Sequence, residues 1–327
     1  MNEHDKKFKK NAQNIGVALL VFIAMYQALY IPIYQIFHAI VHPSLGSGTV
    51  ANIVTEISTG LMYLAVFLVP ALICLRLNKN VEAKAYVRPK PKCSPSMMEF
   101  TVFACIGIIT AAAYVNSILA SALGVSGNVL PTENEMTFVD FLLSAVTLAL
   151  VPGFCEEFLF RKTILSALSP YGEGFAIIAS SILFGLMHQN VLQIFYATMA
   201  GIVLGCAYSR TRSFLCVFLI HFSNNLISVI QQFFASNYSE KTSNILGITL
   251  TLIVFAAGFA SVLMLIIKEA EQKKTCTDGF FEKIEIPSVN YTKYELSTNQ
   301  AKTFFLSPTV LIFTIISASL CLAQIFL

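Results

Sequence analysis

Glu156 and Glu157 stand side by side in the run Glu156-Glu157-Phe158-Leu159-Phe160-Arg161, inside a stretch apolar enough to cross a membrane. A carboxylate at the centre of a spanning helix costs about 2.5–3.5 kcal/mol even on insertion scales. A chain that carries two of them has a use for them. Glu157 and Arg161 are one helical turn apart, so they share a face and can neutralise each other. Glu156 is rotated by about 100° from Glu157 and points elsewhere, which leaves it for general-base work. A purely structural ion-pair cluster would account for Glu157 and Arg161, but it would need no extra glutamate. Pro152 sits one turn earlier and cannot donate to the carbonyl of Leu148, so a kinked or loosened turn is expected there.

Two histidines and an asparagine follow in separate apolar segments, in Phe184-Gly185-Leu186-Met187-His188 and His221-Phe222-Ser223-Asn224-Asn225. The turn signal Ser169-Pro170-Tyr171-Gly172-Glu173-Gly174 folds the chain back on itself. An antiparallel hairpin about Gly172 then sets Glu156 level with His188. Phe184, one turn before His188, could wall the site. His221 and Asn225 are also one turn apart, and folding about residues 210–213 leaves His221 about 8 Å off that level, at 1.5 Å per residue. His38 and His42 share a metal-compatible spacing but have no nearby glutamate of the zincin type, and they read as interfacial groups beside Pro43. Asn116 reads as an interhelical hydrogen bonder.

The elements that must hold these groups are membrane helices. Of 327 residues, 56% are hydrophobic and only 12% charged, against about 25% charged in soluble domains. The fold class is all-α, a polytopic bundle of about eight to nine spans, near 14–37, 57–76, 98–123, 138–162, 174–190, 191–209, 213–234, 245–267 and 304–326. Only Gln189-Asn190 separates the fifth and sixth. Lysines and arginines gather before the first span (Lys6, Lys7, Lys9, Lys10), after the second (Arg76 to Lys92), after the sixth (Arg210, Arg212) and in the last long loop (Lys268 to Lys302). By the positive-inside rule the N-terminus is cytoplasmic, in a multi-pass integral protein expected in a bacterial plasma membrane.

Three regions are expected: N-terminal helices over 1–137, a core over 138–232, and C-terminal helices with a cytoplasmic loop over 233–327. The polar stretch 275–303 is part of that last region. Gly201 and Gly205 read as a close-packing pair within the bundle. The eight cysteines include no Cys-x-x-Cys pair and read mainly as small hydrophobes. The net charge of +3 comes from loop lysines and gives no sign of nucleic-acid binding.

Glu-Glu-x-x-x-Arg (156–161), Phe-x-x-x-His (184–188) and His-x-x-x-Asn (221–225), in that order, resemble the signature of the CPBP intramembrane proteases. That family includes the CAAX prenyl endopeptidases and the bacteriocin-processing or bacteriocin-immunity proteins. The resemblance covers residues 138–232. It implies a helical bundle with an intramembrane cavity in which a peptide bond is hydrolysed. By the same resemblance Glu156 is the general base, His188 helps hold the water, His221 and Asn225 bind the tetrahedral oxyanion, and Glu157 with Arg161 braces the site.

Two chemistries stay open. Glu156, His188 and His221 could form a His₂Glu site for a divalent metal such as zinc, in keeping with the family's usual description as metalloproteases. Alternatively Glu156 and His188 activate water without metal, and Asn225 supplies the oxyanion donor. The expected partners are membrane lipid and a peptide or protein substrate, lipidated or not, near whose end the bond is cut; a homo-oligomer is left open. The competing reading is a non-catalytic immunity or peptide-binding protein built on the same bundle. A transporter would predict repeat symmetry between halves of the chain, and none is seen.

Overall fold

The computed structural model describes residues 3–41, 49–79, 94–122, 135–277 and 298–326. Every regular element among these residues is helical. We number the helices α1 (Glu3–Ile36), α2 (Thr49–Leu77), α3 (Pro95–Ala122), α4 (Phe138–Tyr171), α5 (Glu173–Met187), α6 (Val191–Thr211), α7 (Phe214–Asn237), α8 (Glu240–Thr277), α9 (Thr298–Phe305) and α10 (Pro308–Phe326). Seven of them, α1–α4 and α6–α8, are long and apolar enough to cross a bilayer. The expected fifth and ninth spans fall on the shorter apolar helices α5 and α10. The 15 residues of α5 reach about 22 Å, less than the roughly 30 Å of hydrocarbon. The protein is thus an all-α polytopic bundle. Large side chains such as Leu252, Ile253 and Phe259 on α8 face outward, a cost in water that lipid removes.

Local chemistry sets the helix ends. Thr137 and Asp140 form a reciprocal capping box that starts α4. Asn190 caps α6 by accepting from the backbone N–H groups of Leu192 and Gln193, and Ser213 caps α7 through Cys216. The short break between α5 and α6 works because Gln189 takes a left-handed conformation, φ 50°, before the Asn190 cap. The α4–α5 turn falls at Gly172, with φ 130°.

Helix α4 does not run as one regular α-helix. Ala145–Leu150 and Phe158–Leu165 are π-helical, on either side of the α-helical Val151–Glu157. Pro152 begins that middle segment, so the looser turn expected there precedes the two carboxylates. Wide turns of this kind often accompany functional sites.

Packing brings α4 between α2, α5 and α7, while α5 lies along α6, and α8 along α3. At Gly201 on α6 a Cβ would stand 3.0 Å from Ser181 Cβ and 3.1 Å from its Cα. Any larger residue would have to push Ser181 aside by a few tenths of an ångström, and the Gly201/Gly205 pair packs within the bundle. Asn116 donates to the Leu192 carbonyl across helices at 2.8 Å. The cysteines among the described side chains are unbridged. The loop read over 275–303 lies largely outside the described residues, as do His42 and the side chain of His38.

Candidate active site

The buried centre of the site is the Glu157 carboxylate. Its Oε1 accepts from Arg161 Nη1 at 3.1 Å and from His221 Nδ1 at 2.7 Å. Neither Glu157 nor Arg161 has more than 1% of its surface exposed. Arg161 also donates to the Gly201 carbonyl at 3.2 Å and lies 4.5 Å from the centre of the Phe184 ring. The pair expected from one-turn spacing therefore forms, and it ties α4 to α5, α6 and α7. It also orients His221. A carboxylate paired with arginine can only accept, so Nδ1 carries the proton and Nε2 is left for other work.

Glu156 faces a different surrounding, as its rotation on the helix requires. Its Oε1 accepts a hydrogen bond from the Tyr63 hydroxyl. Its Oε2 is buried without a hydrogen-bond partner and stands 3.8 Å from His221 Nε2. The axial offset expected for His221 is thus absorbed by the packing of α7. Close approach makes this possible: a Cβ at Gly153 would stand 3.1 Å from the Phe222 nitrogen, so α4 meets α7 almost backbone to backbone.

Asn225 donates to the Leu148 carbonyl at 3.2 Å. That carbonyl is the one to which Pro152 cannot donate. The proline that loosens α4 thereby leaves an acceptor that anchors Asn225. An amide has two N–H groups, and one is engaged in this way.

His188 donates Nδ1–H to the Phe184 carbonyl at 2.8 Å, which orients the ring and leaves Nε2 outside that bond. Phe184 lies against both histidines. Its ring meets His188 edge-on at 5.0 Å and His221 at 6.1 Å. The two histidines are therefore joined through one phenylalanine.

Glu156 and Asn225 border a cavity of about 560 Å³ between α1, α2, α4 and α7. Sequence reasoning missed the side of this cavity supplied by α1 and α2. Tyr63 and Glu56 on α2 are polar groups in a spanning helix, and Tyr26, Tyr30 and Tyr34 recur at one-turn spacing. Both signals were available.

Glu156, His188 and His221 do not converge as a three-ligand set in this arrangement. Among the described residues no three His, Cys, Asp or Glu side chains gather so as to hold a metal ion. Glu156 keeps Oε2, and His188 and His221 keep Nε2, outside their protein contacts. A histidine held at Nδ1 by a protein acceptor is also how metal ligands are oriented, so it is the spacing of the three groups, not their chemistry, that does not match a metal site.

Residues 138–227 match the family model described as type II CAAX prenyl endopeptidase Rce1-like. That segment contains both glutamates, Arg161, both histidines and Asn225. Over 118 residues, 34% of this chain, the sequence is 29% identical to YdiL of Bacillus subtilis (strain 168), described as a candidate membrane peptidase. The match covers 48% of that protein, so the chain spans about half the length of the curated relative it matches. No solved structure matches the chain. The family model and the relative both point to membrane peptidases as what this chain is similar to, and the family match falls on residues 138–227.

Proposed function

We propose that this chain is an intramembrane endopeptidase that hydrolyses a peptide bond near the end of a membrane-associated protein or peptide. Water activated by Glu156 does the cleavage. The observation that carries this reading is Glu156 Oε2, buried, without a hydrogen-bond partner and 3.8 Å from His221 Nε2. Burying a polar atom unsatisfied costs about 1–3 kcal/mol, more for a charged group. A 3.8 Å gap is too long for a direct hydrogen bond and fits one water bridging both atoms.

Tyr63 occupies Oε1, so the basic lone pair is on Oε2. Glu157 holds His221 by Nδ1 and leaves Nε2 facing Glu156 Oε2, which supports His221 as the second partner of that water. His188, its ring oriented by the Phe184 carbonyl, keeps the water-holding role that the resemblance gives it. The water oxygen bonds to the scissile carbonyl carbon as Glu156 takes a proton. The carbon–nitrogen bond then breaks, and Glu156 passes the proton to the leaving amine. Asn225 offers its second amide hydrogen to the oxyanion, a donor of the kind worth roughly 3–4 kcal/mol. The lysine pattern supports a cytoplasmic N-terminus.

The test is cleavage of a quenched hydrophobic-peptide library by purified protein in detergent. Wild type is compared with Glu156→Gln, each with and without a zinc chelator. Cleavage lost in the variant supports the peptidase, and the chelator arm reports whether metal takes part. Equal behaviour of the two proteins would leave the non-catalytic binding reading in its place.

A further inference from the structure

Beside the Glu156 end of the cavity lies a second carboxylate that the proposed chemistry does not use. Glu56 on α2 lines the same cavity, and its Oε2 accepts from Thr147 Oγ1 at 2.6 Å. Around it stands a tyrosine ladder. The rings of Tyr26 and Tyr30 are 5.2 Å apart at 11°, and those of Tyr30 and Tyr34 are 6.3 Å apart at 12°. Tyr63 closes on Tyr30 at 6.0 Å and 75°. All four tyrosines line the cavity, and no Lys, Arg or His does so among the described residues.

A carboxylate among tyrosine rings and hydroxyls is the chemistry that recognises an organic cation. The ring faces attract it electrostatically, and the hydroxyl and carboxylate oxygens accept its hydrogen bonds. We propose that this half of the cavity is a subsite for a positively charged side chain, lysine or arginine, of the peptide substrate. The inference rests on the peptidase reading and names its substrate class.

The register follows from α2. Glu56 and Tyr63 are seven residues apart, so they share a face about 10 Å apart along the axis, and Tyr63 touches Glu156. An extended peptide advances about 3.3–3.6 Å per residue. The basic residue therefore lies within about three residues of the bond that is cut.

The test uses pairs of quenched peptides that carry lysine or acetyl-lysine at each of the three positions on either side of the bond. With the wild-type protein in detergent, kcat/KM should favour lysine by about tenfold or more at one position. In Glu56→Gln that ratio should fall toward one, and the drop should appear in KM. Arginine and citrulline peptides should repeat the pattern. Binding of labelled lysine and acetyl-lysine peptides to the Glu156→Gln protein separates the two readings. If no peptide is cut but binding still selects lysine through Glu56, the peptidase reading falls and the subsite stands. Cleavage with no lysine preference at any position overturns the subsite and leaves the peptidase. So does a preference that Glu56→Gln does not change. Should a choline-headgroup detergent displace the lysine peptide at equal concentration, the site belongs to a lipid headgroup and the peptide assignment is overturned.

Discussion

Replacing Arg161 by methionine strands the Glu157 carboxylate, and the cost can be worked from its surroundings. Glu157 is fully enclosed and Arg161 nearly so. Once the guanidinium is gone, the carboxylate keeps only His221 Nδ1, at 2.7 Å. Breaking a buried pair from one side costs about 3–5 kcal/mol, because the remaining charge is uncompensated. Glu157→Gln should cost somewhat less. The Gly201 carbonyl and the Phe184 ring still receive the guanidinium, and the glutamine oxygen can still accept from His221. The double variant removes both charges and should lose much less than the sum of the two singles, with a coupling of about 2–3 kcal/mol. Equilibrium unfolding in mixed micelles, followed by circular dichroism for all four proteins, measures the cycle. Independent sites add within about 0.5 kcal/mol. If these two substitutions do so, the buried pair does not hold α4 to its neighbours as described.

Three further outcomes are expected. Tyr63→Phe removes the hydroxyl that holds Glu156 Oε1, a bond to a charged group worth about 1.5–3 kcal/mol. The variant should lower kcat by about tenfold or more with little change in KM; unchanged kcat would show that Glu156 needs no such partner. Asn225→Ala should lower kcat by about 10²–10³ while the melting temperature moves little, and a loss of folding instead would make its bond to Leu148 structural. Gly201→Val drives a side chain into the Ser181 backbone and should destabilise by about 1–3 kcal/mol. A neutral melting temperature in detergent would mean that α5 and α6 can move apart freely.

Much of the site follows from helix periodicity, which is a local property. One-turn spacing pairs Glu157 with Arg161 and sets Phe184 beside His188. The same geometry turns Glu156 away from Glu157, and the missing N–H of Pro152 loosens α4 just where the structure widens into a π-helical turn. Composition alone fixes an all-helical membrane bundle, because a chain this apolar must satisfy its backbone within each helix. Periodicity says which face a residue occupies and nothing about which helix will cover that face.

That choice belongs to packing between distant segments. Tyr63 reaches Glu156 across 93 positions of sequence and His221 reaches Glu157 across 64. The Asn225 anchor needs both the carbonyl that Pro152 leaves open and the approach of α7 that Gly153 permits. In the sequence, Glu56 and the tyrosines at 26, 30 and 34 stand on two separate helices with nothing local to join them. They form one wall of the cavity only because α1 and α2 pack against the carboxylate helix. The sequence by itself determined the chemical groups and the faces that carry them, since those depend on the 3.6-residue turn. The tertiary structure alone decided which of those faces meet around a common space, since that depends on side-chain volumes summed over several helices.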